Sequence, residues 1–112
     1  MSDLNQKKCE PCEGIGEALN RTQIDTLITQ VSKEWQVADD AKSISRKFSF
    51  ENFHETMAFM NAISWVAHRE NHHPDVKLGY NYCEVTFMTH ALGGLSQNDF
   101  ICAAKVDKIT NF

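Results

Sequence analysis

Apolar residues recur at helical spacing in three stretches of the chain. The first stretch follows Thr22, a residue type that often caps helix N-termini, and predicts a helix over about residues 22–33. A longer helix is predicted from Asn52 onward. The third stretch follows Ser96, with Asp99 three residues later as in a capping box, and predicts a helix toward the C-terminus.

The middle helix has a wide apolar face. Its stripe comprises Phe53, Met57, Met60, Ser64 and Ala67, widened by Phe59, Ile63 and Val66. A face of this width is typical of a helix that packs on a sheet or lies in a subunit interface.

Strands are predicted where apolar and polar residues alternate between the helices. The alternation covers residues 35–37 and 44–50, on either side of the turn-like Asp39-Asp40, and returns over 76–80 and 85–89. The element order is therefore α-β-β-α-β-β-α. It predicts an α+β fold, in which a four-stranded antiparallel sheet has three helices packed on one face. The exposed edges of so small a sheet are a ready route to a dimer, and a homodimer or homotetramer is expected.

The chain divides into an arm and one domain. Residues 1–20 show neither helical nor alternating periodicity and contain Pro11 and two glycines, which predicts an extended or mobile arm. Residues 21–112 are then a single domain, and the whole length of 112 residues suffices for a core without disulfides or metals.

Charge and hydropathy limit the classes of function. The formal net charge is -4, and no face is rich in lysine or arginine, which argues against nucleic acid as a direct partner. No apolar run approaches the length of about 18 residues that spans a bilayer, and the N-terminus lacks the apolar middle of a signal peptide. A cytoplasmic protein without membrane contact is expected.

The four cysteines are expected to be reduced thiols. Cys9 and Cys12 have the spacing of half a zinc site or of a redox pair, but no second pair and no preceding strand support either use. We therefore interpret them as incidental thiols in the arm. Cys83 and Cys102 fall in a predicted strand and helix and are interpreted as small core residues.

The chemistry of the chain is concentrated where the middle helix stops. His68, His72 and His73 lie within six residues, and Pro74 disfavours helical backbone at His73. If the helix persisted, His68 and His72 would project from the same side. Imidazoles titrate near neutral pH, so such a cluster can both donate and accept protons. A fourth histidine, His90, ends the last strand, and the proposed sheet makes its approach to the cluster plausible.

Two other interpretations of the histidines stay open. A single histidine near a helix end commonly caps carbonyls or is solvated, and this is our interpretation of the isolated His54. A zinc site is the competing use of a cluster, since two histidines at i and i+4 plus a third donor satisfy a catalytic ion. The protease pattern His-Glu-x-x-His is not met, because Glu70 stands two places after His68. No metal is our prediction.

The histidine cluster belongs to a longer pattern. Its positions are His68, His72, His73, Pro74, Tyr82, His90 and Asp99, with upstream matches at Trp35, Ile44, Phe48, Phe50, Phe53, Phe59 and Met60 and downstream ones at Thr89, Gly94, Leu95 and Ser96. This pattern resembles the signature of the pterin-4a-carbinolamine dehydratases over about residues 20–110. The fold that the family implies has the same order of helices and strands.

The resemblance implies dehydration of 4a-hydroxytetrahydropterin to quinonoid dihydropterin, which supports pterin recycling for an aromatic amino acid hydroxylase. The implied catalytic residues are His72, His73 and His90, and the implied substrate-binding residues are His68, Asn71, Thr89 and Asp99. His72 and His90 would be the general acid/base pair, and His73 would hold and polarise the ring. Asp99 would orient a histidine. No cofactor is implied, because the pterin is the substrate.

The chain departs from the family pattern at two positions. His68 stands where an acidic residue is common, and Asn71 stands where some relatives have aspartate. These departures affect the binding of the pterin's amino-pyrimidine edge more than the acid/base assignment. The alternative function is a non-catalytic, dimerising module that binds a hydroxylase or a transcription factor, as some family members do.

Overall fold

The computed structural model describes residues 4–9 and 17–110. Seven regular elements follow one another along the second range: α1 (Arg21–Leu27), β1 (Gln36–Val37), β2 (Ile44–Ser49), α2 (Phe53–Glu70), β3 (Asp75–Leu78), β4 (Tyr82–Phe87) and α3 (Gln97–Ile109). Three short 3-10 turns, at Leu4–Gln6, Ile28–Gln30 and His90–Leu92, complete the structure. No helix within these described ranges is long and apolar enough to cross a bilayer.

The four strands form one antiparallel sheet in the order β1-β2-β4-β3. Alternate residues of β4, among them Cys83, Val85 and Phe87, point into the core, as period-2 alternation requires. They share a single apolar cluster with residues of α2 and α3, such as Phe59 and Phe100. The predicted α+β fold, with its order of elements, is confirmed.

The residue that caps the first helix lies two positions earlier than predicted. Asn20, not Thr22, is the N-cap: its side chain accepts a hydrogen bond from the Gln23 backbone N–H at 2.9 Å, and the Gln23 side chain accepts one from Asn20 N–H at 2.9 Å. Asp25 instead pairs with Arg21 on the surface. The α-helix ends at Leu27 and continues as a 3-10 turn, so the predicted end near residue 33 is wrong.

The buried face of α2 is rotated relative to the predicted stripe. Its buried residues are Thr56, Phe59, Ile63 and Glu70, whereas Phe53 and Ser64 of the stripe are exposed. Burial of Thr56 is possible because its hydroxyl donates to the Asn52 and Tyr80 carbonyls at 3.0 and 2.9 Å. The pattern correctly included Phe59 and Ile63 in the apolar face, but it could not show that the polar side chains of Thr56 and Glu70 are buried.

Arg46 lies on the apolar face of β2 because it has a partner there. Its guanidinium donates to the Asp107 carboxylate at 2.6 Å and lies 4.3 Å from the centre of the Phe48 ring. The same carboxylate accepts hydrogen bonds from Trp35 Nε1 at 2.7 Å and from the Ser32 backbone N–H at 2.9 Å. Asp107 therefore ties α3 to the first hairpin.

Residues 4–9, which belong to the predicted arm, pack against the domain. Leu4 is buried among core residues. The Cys9 backbone N–H donates to Glu70 Oε1 at 2.9 Å, and Lys105 Nζ donates to Glu70 Oε2 at 2.8 Å. Glu70 therefore joins the N-terminal segment, α2 and α3. Residues 17–20 of the predicted arm are described as well. Its other residues, including Cys12, lie outside the described ranges.

Replacing Glu70 with glutamine is expected to lower stability and to remove one component of its pH dependence. Burial raises the pKa of Glu70, but the hydrogen bonds from Lys105 and Cys9 and the charges of Lys105 and Lys8 outweigh it and hold the pKa below the ordinary value of a glutamate. A lowered folded-state pKa contributes stability above the unfolded value, and this is lost as pH falls through the folded pKa. Glu70→Gln is expected to cost about 1–3 kcal/mol at pH 7.

Urea denaturation at pH 7 and near pH 4 measures both effects. The difference in the free energy of unfolding between wild type and Glu70→Gln should narrow at the acid pH, because the Glu70 carboxylate of the unfolded wild type takes up protons there and the stabilisation is lost as the pH falls toward the lowered folded-state pKa. Asp25→Asn is the control, since the Arg21–Asp25 pair is exposed and should matter little. An unchanged difference at both pH values would contradict the role given to Glu70.

Candidate active site

Asn71 ends α2 and directs the next residues out of the helix. Its backbone is left-handed, with φ 53°, a conformation that asparagine adopts more readily than most residues. The His72 N–H donates to the Ala67 carbonyl at 3.1 Å and the Asn71 N–H donates to the His68 carbonyl at 3.4 Å, which makes a Schellman motif. The helix therefore stops before His72, and the shared helical side expected for His68 and His72 does not form.

His72 points inward and bonds a buried carboxylate. Its Nε2 lies 2.6 Å from Asp99 Oδ1. The side chain of His72 is 13% exposed and that of Asp99 is 0% exposed. The imidazole also lies nearly parallel to the Phe87 ring, with 6.1 Å between the ring centres and an angle of 10°. His72 is thus fixed on one edge by Asp99 and on one face by Phe87.

Asp99 is held by further hydrogen bonds at the start of α3. Its Oδ2 accepts from the Thr89 hydroxyl at 2.9 Å and from the Ser96 backbone N–H at 2.9 Å. The Thr89 and Ser96 hydroxyls are 2.7 Å apart and share a hydrogen bond. This is the capping box predicted from Ser96 and Asp99, and it leaves Oδ1 of the carboxylate for the imidazole of His72.

His73 and His90 lie side by side at the surface. Their ring centres are 6.4 Å apart with an angle of 27° between the planes. The sheet register explains the approach, because Asp75 pairs with Thr86 and each step toward His73 moves one residue toward His90 on the other strand. His73 Nδ1 also lies 3.2 Å from the Pro74 carbonyl. Residues 17 apart in the chain thereby form one exposed imidazole pair.

The loop after β4 positions His90. Thr89 N–H donates to the Gly94 carbonyl at 2.7 Å, and His90 opens the 3-10 turn that Gly93 closes. Gly93 has φ 65°, where a side chain would strain the backbone. A glycine here lets the chain reverse directly from the histidine into the buried start of α3.

The predicted site residues therefore fall into two groups. His72, Thr89 and Asp99 are linked by hydrogen bonds below the surface, and His73 and His90 form the exposed pair beside them. His68 lies apart on α2, where its ring stacks on Trp65 with 5.6 Å between the centres. Asn71 is exposed between these groups.

Sequence reasoning missed two contributors to this site. Phe87, which supports the His72 ring, had only been placed in a strand. Ser96 is predicted as a helix cap and as a match to the family pattern but not as a site residue, yet its hydroxyl completes the hydrogen bonds around Thr89. The sequence does contain a signal for Ser96. Its partner in the predicted capping box, Asp99, is also a candidate site residue, so the cap must lie beside that site.

A metal site needs several ligating side chains close together, and residues 4–9 and 17–110 lack such a group. No group of three or more His, Cys, Asp or Glu side chains there is placed to hold a metal ion. The zinc interpretation of the histidines therefore has no ligand set within these residues.

Known proteins resemble this chain over nearly its whole length. The family model described as pterin 4 alpha carbinolamine dehydratase matches residues 17–109. A provisionally named pterin-4-alpha-carbinolamine dehydratase of Legionella pneumophila (strain Corby) is 63% identical over 108 residues, which cover 96% of each chain. A protein of the same name from Nitrosomonas europaea is 56% identical and covers 97% of this chain and 95% of its own.

Two solved structures are also similar. The transcriptional coactivator/pterin dehydratase from Brucella melitensis superposes with a TM-score of 0.79 at 27% identity, over 85% of this chain and 100% of that one. A pterin dehydratase-like protein described as a RuBisCO assembly factor in the alpha-carboxysome superposes with a TM-score of 0.61 at 22% identity. It covers 70% of this chain and 90% of its own, and it supports the fold alone.

Proposed function

This chain belongs to the pterin-4a-carbinolamine dehydratase family, and from that premise we propose that it dehydrates 4a-hydroxytetrahydropterin to quinonoid dihydropterin. Histidine general acid/base catalysis carries the reaction in this proposal. The observation that supports it best is the His72–Asp99 hydrogen bond directly beside the exposed pair of His73 and His90.

The reaction needs two proton transfers. One group protonates the 4a-hydroxyl, so that the bond between C4a and oxygen breaks and water leaves. Another group takes the proton from the neighbouring ring nitrogen, whose electron pair forms the new double bond. Each positioned acid or base contributes typically about 10²–10⁴-fold. Imidazoles suit both transfers because they change protonation near neutral pH.

Asp99 gives His72 a defined tautomer in this proposal. A carboxylate only accepts hydrogen bonds, so Nε2 of His72 carries the proton toward Oδ1 of Asp99. The other ring nitrogen, Nδ1, is then the one that exchanges a proton with the substrate. Asp99 and Thr89 are buried and bonded to each other, so they act by positioning His72 and not by touching the pterin.

His90 supplies the second proton-transfer group and His73 holds the pterin ring. Both imidazoles are exposed, and their aromatic rings, with centres 6.4 Å apart, can pack against a bicyclic ring. His68 and Asn71 border the same end of α2 and are proposed to contact the substrate, with the Asn71 amide as an acceptor. These two positions replace the acids that are common in the family.

Recycling of tetrahydropterin for an aromatic amino acid hydroxylase is the proposed context of this activity, in a cytoplasmic homodimer or homotetramer. The second candidate function is a binding module for a hydroxylase or transcription factor. It is favoured by the exposed aromatic residues Phe53, Trp65 and Tyr80, of which Trp65 is 62% exposed. The Brucella melitensis structure carries both a coactivator and a dehydratase description in its name.

Turnover of the carbinolamine tests the dehydratase proposal. Purified protein is expected to accelerate formation of quinonoid dihydropterin, followed by ultraviolet absorbance, and the rate should titrate near neutral pH. Treatment with a chelator should leave the rate unchanged. Absence of acceleration would contradict the enzyme and favour the binding module, whereas a rate abolished by chelator would favour the zinc interpretation.

A further inference from the structure

Two cysteines that are remote in sequence meet between the N-terminal segment and α3. The sulfur atoms of Cys9 and Cys102 are 3.5 Å apart, although 93 positions separate the residues. Cys102 is fully buried on α3, whereas Cys9 is partly exposed. A disulfide bond is about 2 Å long, so the sulfurs would need to approach by only about 1.5 Å.

The contact is supported by the packing of residues 4–9. Leu4 anchors the beginning of this segment in the core with 2% of its surface exposed. At the other end, the Cys9 backbone N–H bonds Glu70 and the Cys9 thiol donates to the Asn98 carbonyl at 3.7 Å. The segment therefore delivers the Cys9 sulfur to one place on α3.

The two thiols differ in reactivity. The hydrogen bond with Cys9, burial, and the charges of Cys9, Glu70 and Asp99 raise the pKa of the Cys102 thiol far above its ordinary value. Since the thiolate is the reactive form and Cys102 is enclosed, an oxidant from solution meets Cys9 first. Cys102 is then the thiol already in place to react with the oxidised Cys9.

We propose that Cys9 and Cys102 are a redox modification site, in which a hydroperoxide converts the two thiols into a disulfide that clamps the N-terminal segment onto α3. The Cys9 sulfur attacks the peroxide O–O bond and becomes a sulfenic acid, while the alcohol or water leaves. The Cys102 sulfur then displaces the hydroxyl group from Cys9, and its proton leaves with that hydroxyl as water. The peroxide is reduced by the two electrons that the sulfurs lose.

The clamp would lie directly beneath the proposed catalytic site. The Cys102 thiol is 4.0 Å from the His72 carbonyl oxygen, and the Cys9 N–H bonds the carboxylate of the residue that ends α2. The crosslink would also close a loop of most of the chain, which restricts the unfolded state strongly. The disulfide would therefore affect both the stability of the fold and the backbone that carries His72.

Oxidation of the reduced full chain with hydrogen peroxide tests the site without any activity assay. The intact mass is expected to fall by two hydrogen atoms, and a non-reducing peptide map should join the Cys9 and Cys102 peptides. The melting temperature should rise by at least about 5 °C and return after reduction.

Three variants act as controls. Cys12→Ser and Cys83→Ser should still form the crosslink, whereas Cys9→Ser should lose both the mass change and the rise in melting temperature. A map that joins Cys9 to Cys12, or oxidation that ends in sulfinic acid on Cys9 with no crosslink, would overturn the proposal. Its failure would leave the dehydratase proposal untouched, since no outcome depends on turnover.

Discussion

Replacing His72 with alanine is expected to reduce carbinolamine dehydration by about 10²–10⁴-fold, the range contributed by one positioned acid or base. The imidazole is 13% exposed and bonded to a fully buried carboxylate, so no solvent group takes its place in the same geometry. The loss should appear mainly in kcat, because the proposed role of His72 is proton transfer in the transition state and not ground-state binding of the substrate. Ultraviolet absorbance assays at limiting and at saturating substrate concentration measure kcat/KM and kcat.

His72→Gln separates chemistry from folding in this experiment. Its amide N–H can still donate to Asp99, which keeps the buried carboxylate paired, but the amide cannot act as an acid or a base near neutral pH. We expect the same loss of turnover with a smaller loss of stability than in His72→Ala. His54→Ala is the matched control, since His54 is an exposed histidine on the same helix α2. Full activity in His72→Gln would rule out the acid/base assignment.

The order of helices and strands could be predicted because each element carries a clear period. Cys83, Val85 and Phe87 alternate with half-exposed neighbours, and every one of them is buried on the helical side of the sheet. Helix termini were harder. Asn20 with Gln23 and Thr22 with Asp25 have the same three-residue spacing, and only the first pair makes the capping bonds.

At the end of α2, Asn71 and not Pro74 determines where the helix stops. Pro74 predicted a break before it, and the break exists, but the chain leaves the helix at Asn71. Asparagine tolerates left-handed backbone because its short polar side chain can satisfy local hydrogen-bond groups. This difference of two residues, from His73 to Asn71, decides that His72 points toward Asp99 instead of continuing the helical face of His68.

The grouping of the site residues could be predicted only in part. Proximity of His90 to the cluster depends on the register of β3 and β4, which sequence periodicity leaves undetermined. The hydrogen bond from His72 to Asp99 depends further on how α3 packs beside that hairpin, a tertiary contact with no local signature. Residue types therefore indicated the chemistry, whereas the division into a buried group and an exposed pair required coordinates.

Asp99→Asn is expected to lower kcat by about 10²–10⁴-fold by changing the tautomer of His72, an effect known for carboxylates that orient catalytic imidazoles. Ser96 N–H and the Thr89 hydroxyl both donate to this side chain, so the amide oxygen must face them. The amide NH₂ then faces His72, whose Nε2 has to accept a hydrogen bond, and the ring proton moves to Nδ1. Nitrogen NMR of the His72 ring should report this exchange directly.

A positioning role and a merely structural one predict different outcomes for this variant. Asp107→Asn is the control, because Asp107 is a partly buried carboxylate on the same helix α3 that also accepts several hydrogen bonds, from Trp35 and Arg46 among others. Both variants should lose stability, by about 1–3 kcal/mol, since each leaves a donor without its charged acceptor. Only Asp99→Asn should lose turnover and shift the nitrogen signals of His72. Equal turnover in the two variants would show that Asp99 stabilises the fold but does not determine which ring nitrogen of His72 carries the proton.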